Sequence, residues 1–404
     1  MQPFVIPFRL RTIGTAESVR KVTWLELFFD LIFVGAVAQV AQPLREEYSF
    51  DGLLRFSTLF ALIWWAWMGY TVFATRFDTD DGVQRALTWI QMFVVAVMAA
   101  NAREALGSRS AAGFAAAYAA GRLLLCAQYL RARRVQEARA LTTTYLIGHA
   151  LAAVLWLGSA FLAAPTRFWI WGVAFVVDLG TPWTARRHSV AVPPHAAHLP
   201  ERLGLFTLIL LGESVVAVMQ GMESQADWTA AAATTAFTGI GIAFLLWWWY
   251  FDGALAAAEQ PVRTRHEASR LQAWTYAHFP FYLGVVLAGV GVQRVVASVG
   301  RASLPPSDVV IFSGALALAM LALTVIGATS AGRRECRGHH VVLHVLIAGA
   351  VLGVGGRTRG PVVLMVAAAS FCALQLAISL AGLNTPRRQL FASEIGLHAA
   401  RSGR

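Results

Sequence analysis

The sequence predicts an all-α polytopic membrane protein of about 12 transmembrane helices, and three observations predict it. Of the 404 residues, 57% are hydrophobic and only 14% are charged, whereas a soluble domain carries roughly 25% charged residues. A soluble chain of this size needs more charge to cover its surface. The apolar residues also gather into runs near the length of about 20 residues that spans a bilayer. No stretch shows the short alternating segments of a membrane barrel. A disordered chain, a small disulfide scaffold and most ordinary soluble enzymes are excluded.

Twelve runs are expected as helices: 24–43, 53–75, 84–101, 110–130, 141–163, 167–182, 203–221, 228–251, 273–296, 309–328, 340–356 and 361–383. The sixth and eleventh are short, so ten or eleven crossings are also compatible with the pattern. Cys126 and Cys372 lie in apolar runs, and with Cys336 they form no pair at metal-ligand spacing, so they read as packing residues.

The net charge of +11 admits nucleic acid, anionic lipid or a topology signal. The basic residues form short clusters between apolar runs, not a stripe, so no nucleic-acid partner is expected and topology is the reading. With residues 1–23 inside and twelve alternating crossings, 23 Lys and Arg fall inside and 8 outside, leaving Arg55 and Arg122 within runs. Both termini are therefore expected in the cytoplasm. Ala36-Val37-Ala38 resembles a cleavage site, but Glu26 and Asp30 would fall inside the apolar core of such a signal, which argues against cleavage.

An internal duplication is expected. At an offset of 183, Asp30 falls on Glu213, Trp64-Trp65 on Trp247-Trp248 and Trp67 on Tyr250, whereas an offset of 178 aligns Leu25, Leu27 and Phe28 with Leu203, Leu205 and Phe206. Two parallel six-helix halves result, 24–182 and 203–383, joined by a cytoplasmic linker 183–202 and flanked by cytoplasmic tails 1–23 and 384–404.

Ionisable groups inside a bilayer are costly, roughly 2.5–3.5 kcal/mol each on insertion scales, and are functional suspects by default. Glu26 and Asp30 are four apart and share one helix face. They could share a proton or bind a cation, or Glu26 could sit at the interface and leave Asp30 to pack helices. Glu213 is the deepest carboxylate of the second half, and Gly212 before it would let another helix approach. Arg122 requires a carboxylate or a water-filled cavity, with Asp30 and Asp178 as the available partners within that half. His149, His278 and His344 are proton-relay or hydrogen-bonding candidates.

Two polar segments complete the candidates. Arg76-Phe77-Asp78-Thr79-Asp80-Asp81 with Arg85 could bind a divalent cation. The preferred reading is that these carboxylates cap the third helix, with Arg76 and Arg85 neutralising the rest. In His195-Ala-Ala-His198-Leu-Pro200-Glu201-Arg202 a zinc site is weighed, but Pro200 and Glu201 also suit a helix start, so the metal assignment stays open. No cofactor is evident: the phosphate-binding loop, G-x-S-x-G, H-E-x-x-H and C-x-x-C-H motifs are all absent.

Three stretches carry a resemblance. W-L-E-L-F-F-D-L-I-F-V from Trp24, W-x-W followed by R-F-D-T-D-D after the second run, and H-x-x-E-R-L-G-L-F-T-L-I-L-L-G-E-S-V-V from His198 resemble the bacterial low temperature requirement protein A family, over roughly residues 20–380. The resemblance implies a polytopic inner-membrane protein associated by name with growth in the cold, without an agreed activity. It marks Trp24, Glu26, Asp30, Arg76, Asp78, Asp81, His198, Glu201, Arg202, Gly212 and Glu213 as motif positions. Phe251-Asp252 departs from R-F-D-T-D-D, which weighs against two equivalent sites. Phe28, Asp30 and Phe33 are also similar to the opening motif of the endolysosomal potassium and proton channel family.

The expected function is a secondary transporter or ion permease that uses intramembrane carboxylates, and whether the protein is an enzyme stays open. The alternatives are a cation or proton channel, and a membrane enzyme or lipid-interacting scaffold with a cytoplasmic-side His/Glu/Asp site. The bilayer is the expected partner, with a small solute or cation as ligand and a homo-oligomer open.

Overall fold

The computed structural model describes residues 9–10, 22–78, 81–107, 110–225, 227–255, 262–301, 303–330, 338–358 and 360–401. Asp80 and Cys336 lie outside the described residues, as do the side chain of Asp78 and most of the N-terminal tail. Each of the twelve helices found there covers one of the twelve apolar runs, most to within about a turn, while α7 and α9 begin earlier than expected and α12 continues well past residue 383. They are α1 (Trp24–Glu46), α2 (Phe50–Ala74), α3 (Gly82–Ala102), α4 (Ala111–Ala132), α5 (Arg139–Ser159), α6 (Thr166–Ala185), α7 (His198–Glu223), α8 (Ala230–Trp248), α9 (Arg265–Ala297), α10 (Pro306–Thr329), α11 (Gly338–Gly355) and α12 (Pro361–Arg401). A π-helical turn, Trp249–Ala254, extends α8. Apart from the helices, a two-residue antiparallel bridge pairs β1 (Arg9–Leu10) with β2 (Phe77–Asp78).

Local chemistry sets the helix starts. Thr23 caps α1 in a reciprocal capping box with Glu26. Ser49, Asp81 and Thr229 cap α2, α3 and α8 through their side-chain oxygens. Pro306 opens α10, where its missing N–H costs nothing.

Among the described residues, nine helices are long and apolar enough to cross a membrane: α1, α2, α3, α5, α7, α8, α9, α10 and the first part of α12 (Pro361–Ala381). At about 1.5 Å per residue, the 21 residues of α3 match a hydrocarbon core of about 30 Å. The other three are α4, α6 and α11. α4 is Ala-rich and carries Arg122 and Arg131, which lowers its hydropathy. Its two ends are nevertheless tied to the two ends of α3: Ser110 Oγ donates to the Asn101 carbonyl, and Arg131 pairs with Asp81. α4 therefore traverses the same depth as α3.

The chain forms two compact units. The first is Met1–Leu210 with Ala258–Phe279, and the second is Leu211–Ala257 with Pro280–Arg404. In the first unit, α3, α4, α5 and α6 pack as successive antiparallel neighbours, α1 lies against α2 and α3, and α2 touches α4. Gly148 lets α5 meet Thr181 of α6, where a Cβ would collide with the threonine side chain. In the second unit, α8 packs on α12, α10 on α11, and α11 on α12. Gly284 of α9 brings that helix onto the backbone of α10, 2.7 Å from the Ala315 carbonyl for a Cβ placed there. Exposed aromatics such as Trp24, Trp89, Phe161 and Phe237 suit contact with lipid.

Candidate functional site

Two buried ionic clusters lie in the first unit; the first takes two acids from the sequence candidates and the second takes one. In the first, Glu26 and Asp30 stand on the face of α1 that also buries Phe29, Phe33 and Val37. Opposite them, α7 presents His198 and Arg202, four apart and both buried. Arg202 Nη2 donates to Asp30 Oδ1 at 2.6 Å, and Arg202 Nη1 stands 3.5 Å from Glu26 Oε1. His198 Nε2 is 3.4 Å from Glu26 Oε2, which also accepts from the Thr23 N–H at 2.8 Å. Trp67 of α2 donates its indole N–H to the same Asp30 Oδ1 at 2.7 Å. Asp30 Oδ2 is buried and has no hydrogen-bond partner.

The walls of this cluster are aromatic. Phe206 stacks on Trp67 with ring centroids 4.2 Å apart, and Phe29 lies 4.1 Å from Tyr70. Tyr70 is fixed by a hydroxyl contact to Thr88 at 3.1 Å, and Arg202 lies 6.0 Å from the Trp67 and Tyr70 rings. Charge in such a box is poorly screened.

In the second cluster, Asp178 of α6 takes a different cation. Arg122 Nε lies 2.6 Å from Asp178 Oδ2, and His149 Nδ1 lies 2.9 Å from Asp178 Oδ1. A carboxylate accepts only, so the neutral His149 donates from Nδ1. Arg122 Nη2 also donates to the Tyr118 hydroxyl at 2.7 Å. Gly69 of α2 makes the room, since a Cβ there would stand 2.7 Å from Arg122 Nη1. Of the two partners the sequence offers Arg122, the structure selects Asp178, while Asp30 goes to Arg202.

The formal charges separate the clusters. Arg122 and Asp178 balance, with His149 neutral. Among the described residues, two carboxylates of the first cluster face one guanidinium, leaving one surplus negative charge whenever His198 is neutral. Buried charge without compensation is expensive, so the first cluster favours taking up one proton or cation, and the second has no such need.

In the polar loop after α2 the described residues show the helix cap, while the side chains of Asp78 and Asp80 lie outside them. Asp81 caps α3 by accepting from the Gln84 N–H at 2.7 Å, and its cation is Arg131 of α4, also at 2.7 Å, not Arg76. Arg76 turns instead to backbone, donating to the carbonyls of Val192 at 3.2 Å and Val72 at 3.3 Å. His195 accepts from the N–H of His198 at 3.2 Å and so caps α7. That cap starts α7 at His198, within the segment expected as linker. Among the described residues, no three His, Cys, Asp or Glu side chains gather to hold a metal ion.

The remaining candidates stand apart. Gly212 opens no close helix approach: a Cβ there meets nothing within 4 Å, because the position faces outward. Glu213 is half-buried where Asp30 is wholly buried, so the two acids do not occupy equivalent surroundings. Glu201 is half-buried on the first turn of α7, and Trp24 is exposed. His278 is a ring-to-carbonyl contact within its own helix, 2.9 Å from Trp274 O, and His344 stacks on Trp249 with centroids 5.3 Å apart. Sequence reasoning missed Trp67, Tyr70 and Thr71 as cluster residues. The available signal was that Trp67, Tyr70, Thr71 and Ala74 recur at helical spacing on α2, which marks one buried face without naming its partner.

Comparison with known proteins adds an independent line. A Rhizobium meliloti (strain 1021) protein, itself uncharacterized, is 28% identical over 295 residues, covering 70% of this chain and 71% of that protein. No solved structure matches the chain. The family described as bacterial low temperature requirement A protein matches residues 21–382, a stretch that holds both ionic clusters. With its many apolar helices this is a multi-pass membrane protein, and the chain belongs to the bacterial low temperature requirement A family.

Proposed function

We propose that this protein is a proton-coupled permease of the bacterial inner membrane, with both termini cytoplasmic and the Glu26/Asp30–His198/Arg202 cluster as its proton site. The observation that carries this reading is the surplus charge: two buried carboxylates against one guanidinium. One proton neutralises the set, and His198 and the unpartnered Asp30 Oδ2 are the atoms placed to receive it. Arg202 holds the dyad in place, and the aromatic wall keeps water out, so gaining or losing that proton changes the local field strongly. Intramembrane acids in transporters commonly serve as such relays. The cluster lies one to two turns from the N-terminal end of α1, within reach of the cytoplasmic face in the proposed orientation.

The test is flux. Purified protein in proteoliposomes that trap a pH-sensitive dye is offered gradients of Na+, K+, inorganic phosphate and phenylphosphonate. Wild type is expected to change the internal pH with at least one of them, and Asp30→Asn and Glu26→Gln each to lose at least nine-tenths of that rate. No pH change in the wild type with any probe, or full rates in both variants, overturns the reading. Unsaturable, voltage-driven current would assign the same cluster to a proton channel instead.

A further inference from the structure

A cavity of about 70 Å³ opens in the first unit, between the C-terminal ends of α2 and α6 and the N-terminal ends of α5 and α9. Its walls are mainly aromatic and aliphatic, with Trp65, Tyr145 and Tyr276 the largest contributors. A mainly apolar lining with a few convergent polar groups is that of a small-molecule site. Two arginines, Arg76 and Arg186, also line it.

These two differ from Arg122, Arg131 and Arg202 of the same unit. Each of those three meets a carboxylate at 2.6 to 2.7 Å. Arg76 is 7% exposed, and its contacts are two backbone carbonyls and the face of Tyr145, 5.8 Å from the ring centroid. Arg186 is half-buried and meets the Ser269 hydroxyl at 3.2 Å and the Trp183 ring at 5.2 Å. Among the described residues no carboxylate lies within ion-pairing distance of either. Backbone carbonyls and aromatic faces orient a guanidinium but leave its charge uncompensated. A third polar group faces the same problem: the buried Trp65 indole N–H has no hydrogen-bond partner. Two unbalanced cations and an idle donor around one apolar hollow form the complement of an anion with an apolar body.

We infer that this cavity binds an amphipathic anion, a phosphate-like or carboxylate-like head held between Arg76 and Arg186 with its apolar part against Trp65, Tyr145 and Tyr276. This inference rests on the permease reading only for its purpose, since it would name the class of the transported substrate. The same chemistry is presented by a free organic anion and by the headgroup of an acidic lipid. The cavity adjoins the proton site through shared elements: Val72 and Leu199 line the cavity, while their neighbours Thr71 and His198 face the ionic cluster. One site favours a proton and the other an anion, so loading both neutralises the pair.

The experiment measures equilibrium binding of phenylphosphonate by calorimetry to protein in phosphatidylcholine nanodiscs, at one pH and with no gradient. Wild type is expected to bind. Arg186→Gln should weaken binding at least tenfold. Because Arg76→Gln also removes the contact to Val192 and can unfold the loop, Val72→Phe is the second variant: it fills the hollow, leaves both charges, and should also weaken binding at least tenfold. If phosphatidylglycerol in the nanodisc blocks the probe and is retained in native mass spectrometry, the natural occupant is a lipid headgroup. If it does not compete, the occupant is a free anion. Absence of both probe binding and lipid retention overturns the inference, and so does binding that both variants leave unchanged. Transport is not measured, so binding without proton flux would keep this site and discard the permease.

Discussion

Asp30 and Asp178 are both wholly buried, and each pairs with an arginine at 2.6 Å. Removing the charge acts differently on their surroundings. Asp178→Asn leaves Arg122 with no counter-charge, and breaking a buried pair in this way costs about 3–5 kcal/mol. Asp30→Asn leaves Arg202 balanced by Glu26, so the cost should be less than half as large. Thermal unfolding of the two variants in one detergent checks this: Asp178→Asn should melt well below Asp30→Asn, and the reverse order would refute the charge count. The acids themselves were legible in the sequence as carboxylates inside apolar helices. Their partners were less so. Arg202 sits in a polar stretch that reads as linker, and its bond to Asp30 joins residues 172 apart in sequence. Arg76 reads as the partner of the acids beside it, yet Asp81 finds Arg131 because the end of α4 lies closer than the loop's own cation.

At the level of elements, the helix positions followed from apolar runs and caps, because spanning length and N-cap chemistry are local. The packing did not, since it depends on which small residues face one another. Gly148 and Thr181 illustrate this: nothing in either helix alone distinguishes this glycine from Gly158 or Gly172, which face open space. Gly148→Ala should force α5 from α6 and destabilise by about 1–3 kcal/mol, the usual cost of overpacking. Thr181→Ala in the same chain should recover most of it. A chemical-denaturation series on the single and double variants tests the coupling, and simple additivity would show that the two helices do not meet there.

For the whole molecule, the open quantity is the number of crossings. Composition alone supports nine. Packing of α4 end to end against α3 argues that helices below the compositional threshold cross as well, because a neighbour of full length carries them through. Twelve crossings with both termini inside are the expectation from the distribution of Lys and Arg. Single cysteines placed at Gln136, Leu162 and Arg301, in a chain freed of its native cysteines, should react with an impermeant maleimide from outside whole cells only at positions 162 and 301. Labelling of position 136 from outside would overturn this topology.

Trp67 gives its indole N–H to the oxygen of Asp30 that Arg202 also holds. On absorbing light an indole moves electron density away from its nitrogen, so the colour it emits depends on the charge beside that nitrogen. Filling the cluster with a proton or emptying it must therefore shift this one emission band. The protein carries an electrochromic dye at one of its wholly buried acids.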